Sequence, residues 1–344
     1  MRNYITITIT ALLALFTSCD KSILGHEPSA DNPEEIFETL WQDFDEHYAL
    51  FGVRSVNWDS LYSVYRPMVT KDISQDSLWG VCTSMMSHFN DRHTAISQIN
   101  GDEKYFNTGH HLVSHTYYKF YYTFIMKELE ADFTVSSDFQ MLYGKIANKD
   151  MGYLHLRAMD YYTLSDLNTA LDKITQYNSL ILDLRQNSGG MPEPIFAIVR
   201  RFSDNEDLVY NSQTRSGPNH DDFNPKLSTY NVKSDNPYKG QVVVLTDRAT
   251  MSAAEWVLLS LRTCDNVTHI GDTTSGCISP PSPTRLLPNN WRFWYSVQKA
   301  TLPDGSTHEG VGITPDIYVV NNEDDIQINQ KDAVLRKAIG YLSN

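Results

Sequence analysis

Thr250-Met251-Ser252-Ala253-Ala254-Glu255 follows closely on the apolar run Val242-Val243-Val244-Leu245. A serine at a strand-to-helix turn, followed by two alanines, places its hydroxyl beside the unpaired amides of a helix N-terminus. That suits a nucleophile, which needs exposure, a nearby base and backbone N–H groups for the developing oxyanion. A second apolar strand, Ile181-Leu182-Asp183-Leu184, runs into Arg185-Gln186-Asn187-Ser188 and the glycine pair Gly189-Gly190. In this order the two elements point to a hydrolase. Read locally, Ser252 serves equally well as an ordinary helix N-cap.

The remaining candidates divide by residue type. His93, His155 and His308 are imidazoles able to act as a base. His110, His111 and His115 invite a metal reading, but no carboxylate stands near them at ligand spacing. No metal or organic cofactor is expected. Asp183 and Arg185 are suited to holding the strand-end turn through charge-assisted hydrogen bonds. Glu255 falls in the first turn of a helix, where the dipole explains an acid. The glycines between Gly271 and Gly276 read as a tight turn.

The elements that must position these groups follow from periodicity. Asn32-Pro33-Glu34-Glu35 is a helix start, and Ile36, Leu40 and Phe44 continue at helical spacing. Trp58 to Tyr65 gives a second helix, and Leu78, Val81, Cys82, Met85 and Phe89 a third. Residues 32–100 are therefore expected to form a helical N-terminal subdomain. The aromatic run Tyr117 to Ile125 reads as a strand, and Phe133 to Ile146 as one or two more. From Met151 strands alternate with helices: strands at 152–156, 180–184, 241–245 and 267–270, and helices at 165–177, 192–202 and 252–262. That alternation argues for an α/β layer structure. The polar stretch 203–238 reads as a long loop bordering a groove, and Trp291 to Ala300 as a partly exposed strand. Residues 101–325 would form the α/β core, and 326–344 a terminal helix.

Of the 344 residues, 41% are hydrophobic and 20% charged, ordinary for a globular protein. A net charge of −14 excludes a nucleic-acid binder that works by neutralising phosphates. Solubility accounts for that acidity, and an acidic surface favouring basic ligands is the other reading. Met1-Arg2-Asn3, the apolar segment to Phe16, and Thr17-Ser18-Cys19 have the proportions of a bacterial lipoprotein signal over residues 1–18. Cys19 would be the lipidated residue, 19–31 a tether, and the acyl chains a membrane anchor. The destination is then the cell envelope of a Gram-negative-type bacterium. The other three cysteines, Cys82, Cys264 and Cys277, cannot all pair with one another, and Cys82 lies on an apolar helical face.

Six motifs in sequence carry a resemblance. Asp91-Arg92-His93, Gly152-Tyr153-Leu154, Asp183 to Gly190, Ser252-Ala253-Ala254-Glu255, Gly271 to Gly276, and Glu309-Gly310-Val311-Gly312-Ile313-Thr314-Pro315-Asp316 together resemble the tail-specific, or carboxy-terminal processing, serine peptidases. The tricorn-core-like branch is the most similar. The resemblance implies a ClpP/crotonase-like α/β core. It assigns Ser252 as nucleophile, His93 as base, Glu309 as its support, and the amides of Ala253 with Gly189 or Gly190 as the oxyanion hole. Where the processing peptidases proper carry a lysine base, this chain has Cys277. Arg92 stands where the tricorn-like branch has a serine linking base and glutamate, and Glu309 could instead pair with Arg92. The interval from His93 to Met151 is too short for the PDZ module of most relatives. The expected substrate is a peptide or unfolded protein. The other reading is a non-catalytic protein on the same fold that binds peptides or apolar ligands.

Overall fold

The computed structural model describes residues 29–98, 103–110, 120–136 and 138–343. The proposed leader, Cys19, most of the tether, and His111 and His115 lie outside the described residues. No helix among the described residues is long and apolar enough to cross a membrane.

Four helices open the described chain: α1 (Pro33–His47), α2 (Phe51–Arg54), α3 (Trp58–Tyr65) and α4 (Gln75–Met86). Asn32 caps α1 by accepting from the Glu34 amide, with Pro33 at the first helical position as its fixed φ favours. Strands β1 (Ala95–Gln98) and β2 (Lys104–Asn107) follow, then α5 (Tyr122–Met126), β3 (Thr134–Val135) and β4 (Met141–Lys145). The alternating part runs β5 (Met151–Leu156), α6 (Leu164–Ile174), β6 (Ser179–Asp183), α7 (Glu193–Phe202), β7 (Leu208–Thr214), β8 (Leu227–Tyr230), β9 (Gln241–Thr246), α8 (Ala253–Leu261) and β10 (Val267–Gly271). The chain closes with β11 (Arg285–Leu286), β12 (Arg292–Trp294), β13 (Gln298–Thr301), β14 (Ile317–Tyr318), α9 (Glu323–Gln327) and α10 (Ala333–Tyr341).

The central sheet has the order β14-β10-β9-β6-β5-β4-β3. Its pairs from β14 to β5 are parallel, and β4 and β3 are antiparallel. Strands buried on both faces need apolar residues at every position, which the Val242 to Leu245 run supplies. Leu180, Leu182, Val242 and Val244 point to the layer of α6, α7 and α8, while Ile181, Val243 and Leu245 point to that of α10 and α5. Each such side chain contributes roughly 1.5–3 kcal/mol on burial. The mixed α/β architecture with a central sheet agrees with the expected fold class.

A separate aromatic core lies under α1–α4. Phe44 packs with Phe89 at 5.1 Å and Tyr295 at 4.4 Å between ring centroids. Leu287, Trp291, Phe293 and Tyr295 share this core, so residues distant in sequence seal the helical block.

Three segment expectations are corrected. Tyr122 to Met126 is a helix rather than part of a strand, since its buried Ile125 is a packing point without a ladder partner. The stretch 203–238 contains β7 and β8, which pair antiparallel, with β7 also paired to β13. Its polar composition hid the strands because β8 is mostly exposed and β7 only half-buried, so neither carries an alternation signal. Residues 291–300 hold two strands, β12 and β13, belonging to different sheets.

Candidate active site

The C-terminal ends of β5, β6, β9 and β10 face one edge of the sheet, where open α/β folds bind ligands. Four turns meet there: 157–160, 184–190, 247–252 and 271–277. Ser252 sits at the head of α8 with φ 56° and ψ −124°, a left-handed conformation that costs a non-glycine residue about 1–3 kcal/mol. It is over-determined by its neighbours. The Met251 amide donates to the Asn187 carbonyl at 3.0 Å, and the Ser252 amide to the Cys277 carbonyl at 3.1 Å. Ser252 as a residue is half-buried.

Glu255 is the clamp on this turn. Its Oε1 accepts from Thr274 Oγ1 at 2.6 Å and the Gly276 amide at 2.8 Å, and its Oε2 from the Cys277 amide at 2.9 Å and the Ser252 amide at 3.1 Å. Helix-dipole stabilisation therefore does not suffice as its explanation. Glu255 is fully buried and joins α8 to the segment after β10; burial raises its carboxyl pKa, against these four donors.

The glycine pair comes to Ser252 through Asn187. Asn187 Nδ2 donates to the Leu156 carbonyl at 2.8 Å, and its Oδ1 accepts from the Gly189 amide at 2.8 Å. A Cβ on Gly189 would stand 2.6 Å from Ser252 Cβ and 2.9 Å from the Ala253 nitrogen, at a φ of +80°. Only glycine permits that approach. Since Asn187 engages the Gly189 amide, Gly190 is the member of the pair whose amide is left for an oxyanion. Ala253 is the first residue of α8, so its N–H has no partner within the helix.

His93 is buried, and its Nδ1 lies 2.7 Å from the Ser279 carbonyl oxygen. A carbonyl only accepts, so Nδ1 carries the proton and Nε2 keeps its lone pair. Burial holds the ring below the ordinary histidine pKa, which favours the neutral base. The His93 amide donates to Asp91 Oδ1 at 2.8 Å, and Asp91 Oδ2 accepts from Tyr48, Thr94 and Ser296 hydroxyls at 3.1, 2.9 and 3.2 Å. No hydrogen bond joins Ser252 Oγ to His93 here. What links the two is one short segment: Cys277 takes the Ser252 amide and Ser279 the His93 ring. Two residues of backbone span at most about 7 Å, so the carbonyls that anchor the two groups lie on one short stretch of chain.

Glu309 reaches the same segment. Its Oε2 accepts from the Ile278 amide at 3.1 Å and the Ser279 amide at 2.9 Å, and its Oε1 pairs with Arg54. The expected alternative pairing with Arg92 is thereby corrected. Arg92 instead reaches Ser275 Oγ at 3.0 Å, while Arg54 comes from α2, too far away in sequence to be foreseen. Arg54 also approaches Asp91 at 3.7 Å. Burial and the neighbouring Asp91 push the Glu309 carboxyl up to about 7, against the pull of Arg54. Asp91, Cys277 and Glu309 place ligand-type atoms within 4.8 Å of one another. The cation paired with this cluster is the Arg54 guanidinium.

The other candidates have structural places. His155 Nε2 donates to the Arg185 carbonyl at 3.0 Å, and burial lowers its pKa to about 4. His308 is half-buried and held below its ordinary pKa, chiefly by burial. Arg185 bonds Asp183 through Nε and Nη2 and both Asp332 oxygens through Nη1, at 2.9 and 2.8 Å, so it ties β6 to the start of α10. Cys82, Cys264 and Cys277 are all buried and free. Arg54, Asn187 and Glu255 are the residues with a part in this site that sequence reasoning missed or undervalued.

Comparison with known proteins adds to this geometry. The model of peptidase family S41 matches residues 150–319, and that of the tricorn protease C1 domain matches residues 29–87. A carboxy-terminal-processing protease of Bartonella bacilliformis is 29% identical over 186 residues, which cover 49% of this chain and 39% of the relative. The carboxy-terminal processing protease CtpA of Bacillus subtilis is 24% identical over 139 residues, 40% of this chain and 28% of its own length. The chain thus spans well under half the length of these curated relatives. Among solved structures, a peptidase of Parabacteroides merdae superposes with a TM-score of 0.79 at 26% identity, covering 90% of this chain and 96% of that one. The tricorn protease superposes with a TM-score of 0.59 at 15% identity, over 92% of this chain and 37% of its own, a likeness of fold.

Proposed function

The chain belongs to peptidase family S41, and from that premise we propose that it is a serine-type peptidase working through Ser252, His93 and Glu309. Ser252 Oγ attacks the peptide carbonyl carbon while His93 Nε2 takes the hydroxyl proton. The Gly190 and Ala253 amides stabilise the oxyanion. His93 returns the proton to the leaving amine, and water then hydrolyses the acyl-enzyme by the same route. Glu309 is a positioning residue: it holds the backbone of Ser279, whose carbonyl sets the His93 tautomer. The single observation that carries this reading is the Cys277–Ser279 segment, which binds the Ser252 amide at one end and the His93 ring at the other. Closing a loosely set apo pair of this kind on substrate is usual.

The substrate is a peptide or unfolded protein. The N-terminal sequence supports export and attachment through Cys19 to an envelope membrane. A fluorophosphonate probe tests the chemistry. Covalent labelling of the wild type and its loss in Ser252→Ala and His93→Ala are expected. Well-folded protein that stays unlabelled between about pH 6 and 9, where a histidine base is neutral, overturns the peptidase reading in favour of a binding protein on the same fold.

A further inference from the structure

Asp160 lies at the end of the turn after β5, beside the glycine pair. The Met159 amide donates to the Gly189 carbonyl at 2.7 Å, and Met159 bridges Gly190 in parallel register. A Cβ on Gly190 would stand only 1.8 Å from Asp160 Oδ1, so this carboxylate fills the space that the glycine leaves open. Gly189, next along the chain, presses on Ser252 Cβ. The carboxylate therefore borders the turn that supplies the candidate oxyanion amide, on the same rim as the serine.

Asp160 Oδ1 is shielded from solvent and has no hydrogen-bond partner among the described residues. It forms no ion pair with any of them, and burial alone raises its pKa. Shielding a carboxylate oxygen without a donor is costly, and a native protein retains such a group where it has a use. The residue as a whole is only half-buried, so a ligand can reach it. The exposed side chains of Tyr161 and Met191 flank it on either strand-end turn, apolar surfaces on which a peptide stem can lie. An anion here opposes a developing oxyanion nearby unless a cation neutralises it.

We infer that Asp160 is a specificity determinant that selects substrates carrying a positive charge close to the scissile bond, either a lysine or arginine side chain or a free α-ammonium group. The inference rests on the peptidase reading of the same site. An ammonium or guanidinium brought by the substrate meets the carboxylate from its solvent side and cancels its charge beside the oxyanion. The chain's net charge of −14 draws such substrates in from a distance.

The test uses the whole protein and internally quenched peptides matched except at the residues flanking the cleaved bond. One arm compares Lys or Arg with Leu and Glu at those positions, and the other compares free with acetylated amino termini. Wild-type kcat/KM is expected to favour the cationic member of one arm by about tenfold or more, the scale of one charge-assisted hydrogen bond. Which arm responds identifies the source of the charge. Asp160→Asn and Asp160→Ser should abolish that preference, with Ser252 still labelled by the fluorophosphonate probe. In the Ser252→Ala background, affinity for the uncut cationic peptide should fall on adding Asp160→Asn. Cleavage without cationic preference, or a preference that survives both Asp160 variants, overturns the inference while the peptidase reading stands. A uniform loss of activity on all peptides assigns Asp160 to holding the glycine turn and overturns it as well. Absence of probe labelling defeats the peptidase reading instead, and the binding arm in Ser252→Ala then decides the Asp160 inference separately.

Discussion

Glu309 and His93 meet at Ser279: the carboxylate accepts from its amide at 2.9 Å, and the imidazole donates to its carbonyl at 2.7 Å. The two side chains thus act on one residue from its two backbone groups, without a hydrogen bond between them. Ser279 thus joins, through its own backbone, two groups that in a serine triad bond each other directly.

The pH profile should report this relay. His93 is held below its ordinary pKa, so it is already neutral where Glu309, pushed up to about 7, still carries a proton. Glu309 is deprotonated above its pKa, so kcat/KM should fall as pH drops through about 7. Glu309→Gln should lower kcat/KM by about tenfold or more and move the acid limb below 6.5. A limb that stays near 7 in that variant belongs to another group.

Arg54 neutralises two buried carboxylates from a helix at the start of the described chain. Its side chain is 7% exposed, and those of Asp91 and Glu309 are 0% and 1% exposed. Arg54→Met leaves both without a cation and should destabilise the protein by about 3–5 kcal/mol in urea unfolding. Arg54→Lys keeps the charge and should lose less. Equal stability of Arg54→Met and wild type would show that the cluster holds protons instead.

Gly189→Ala forces a methyl group against Ser252 Cβ at a φ that disfavours alanine. A displacement of about 1 Å at a nucleophile costs on the order of 100-fold in rate, and probe labelling should slow by that factor. Gly80→Ala in α4, where an added Cβ meets nothing within 4 Å, should leave labelling unchanged.

Glu255→Ala removes the acceptor of four donors at once. The Ser252 amide keeps the Cys277 carbonyl, and each of the other three orphaned donors costs about 1–3 kcal/mol, relieved in part by water, so a loss on the order of 3 kcal/mol is expected. Denaturant unfolding checks it, and a loss under about 1 kcal/mol would mean that the turn after β10 rebuilds without the clamp. Probe labelling should fall with it, because Ser252 loses a bond that holds its left-handed backbone.

Local pattern carried much of this protein. The apolar runs at 180–184 and 241–245 and the amphipathic stretches at 33–47 and 164–174 announce the layered α/β core, because buried strands and one-sided helices leave periodic signatures. The turn chemistry around Gly189 and Ser252 was legible for the same reason: φ preference and close approach act on the residues that carry them. Strands β7 and β8 escaped notice because β8 is mostly exposed and β7 is half-buried with polar residues along it, so neither shows apolar alternation.

Tertiary structure alone decided the rest. That Glu309 pairs with Arg54 across 255 residues, that Glu255 gathers donors from the turn after β10, and that Asp160 fills the space beside Gly190 are facts of side-chain direction and chain closure. A carboxylate in a sequence has no stated partner; which donor reaches it depends on how distant segments pack. The sequence names the groups capable of the chemistry, and the folded chain fixes the distances and burial that set their charge.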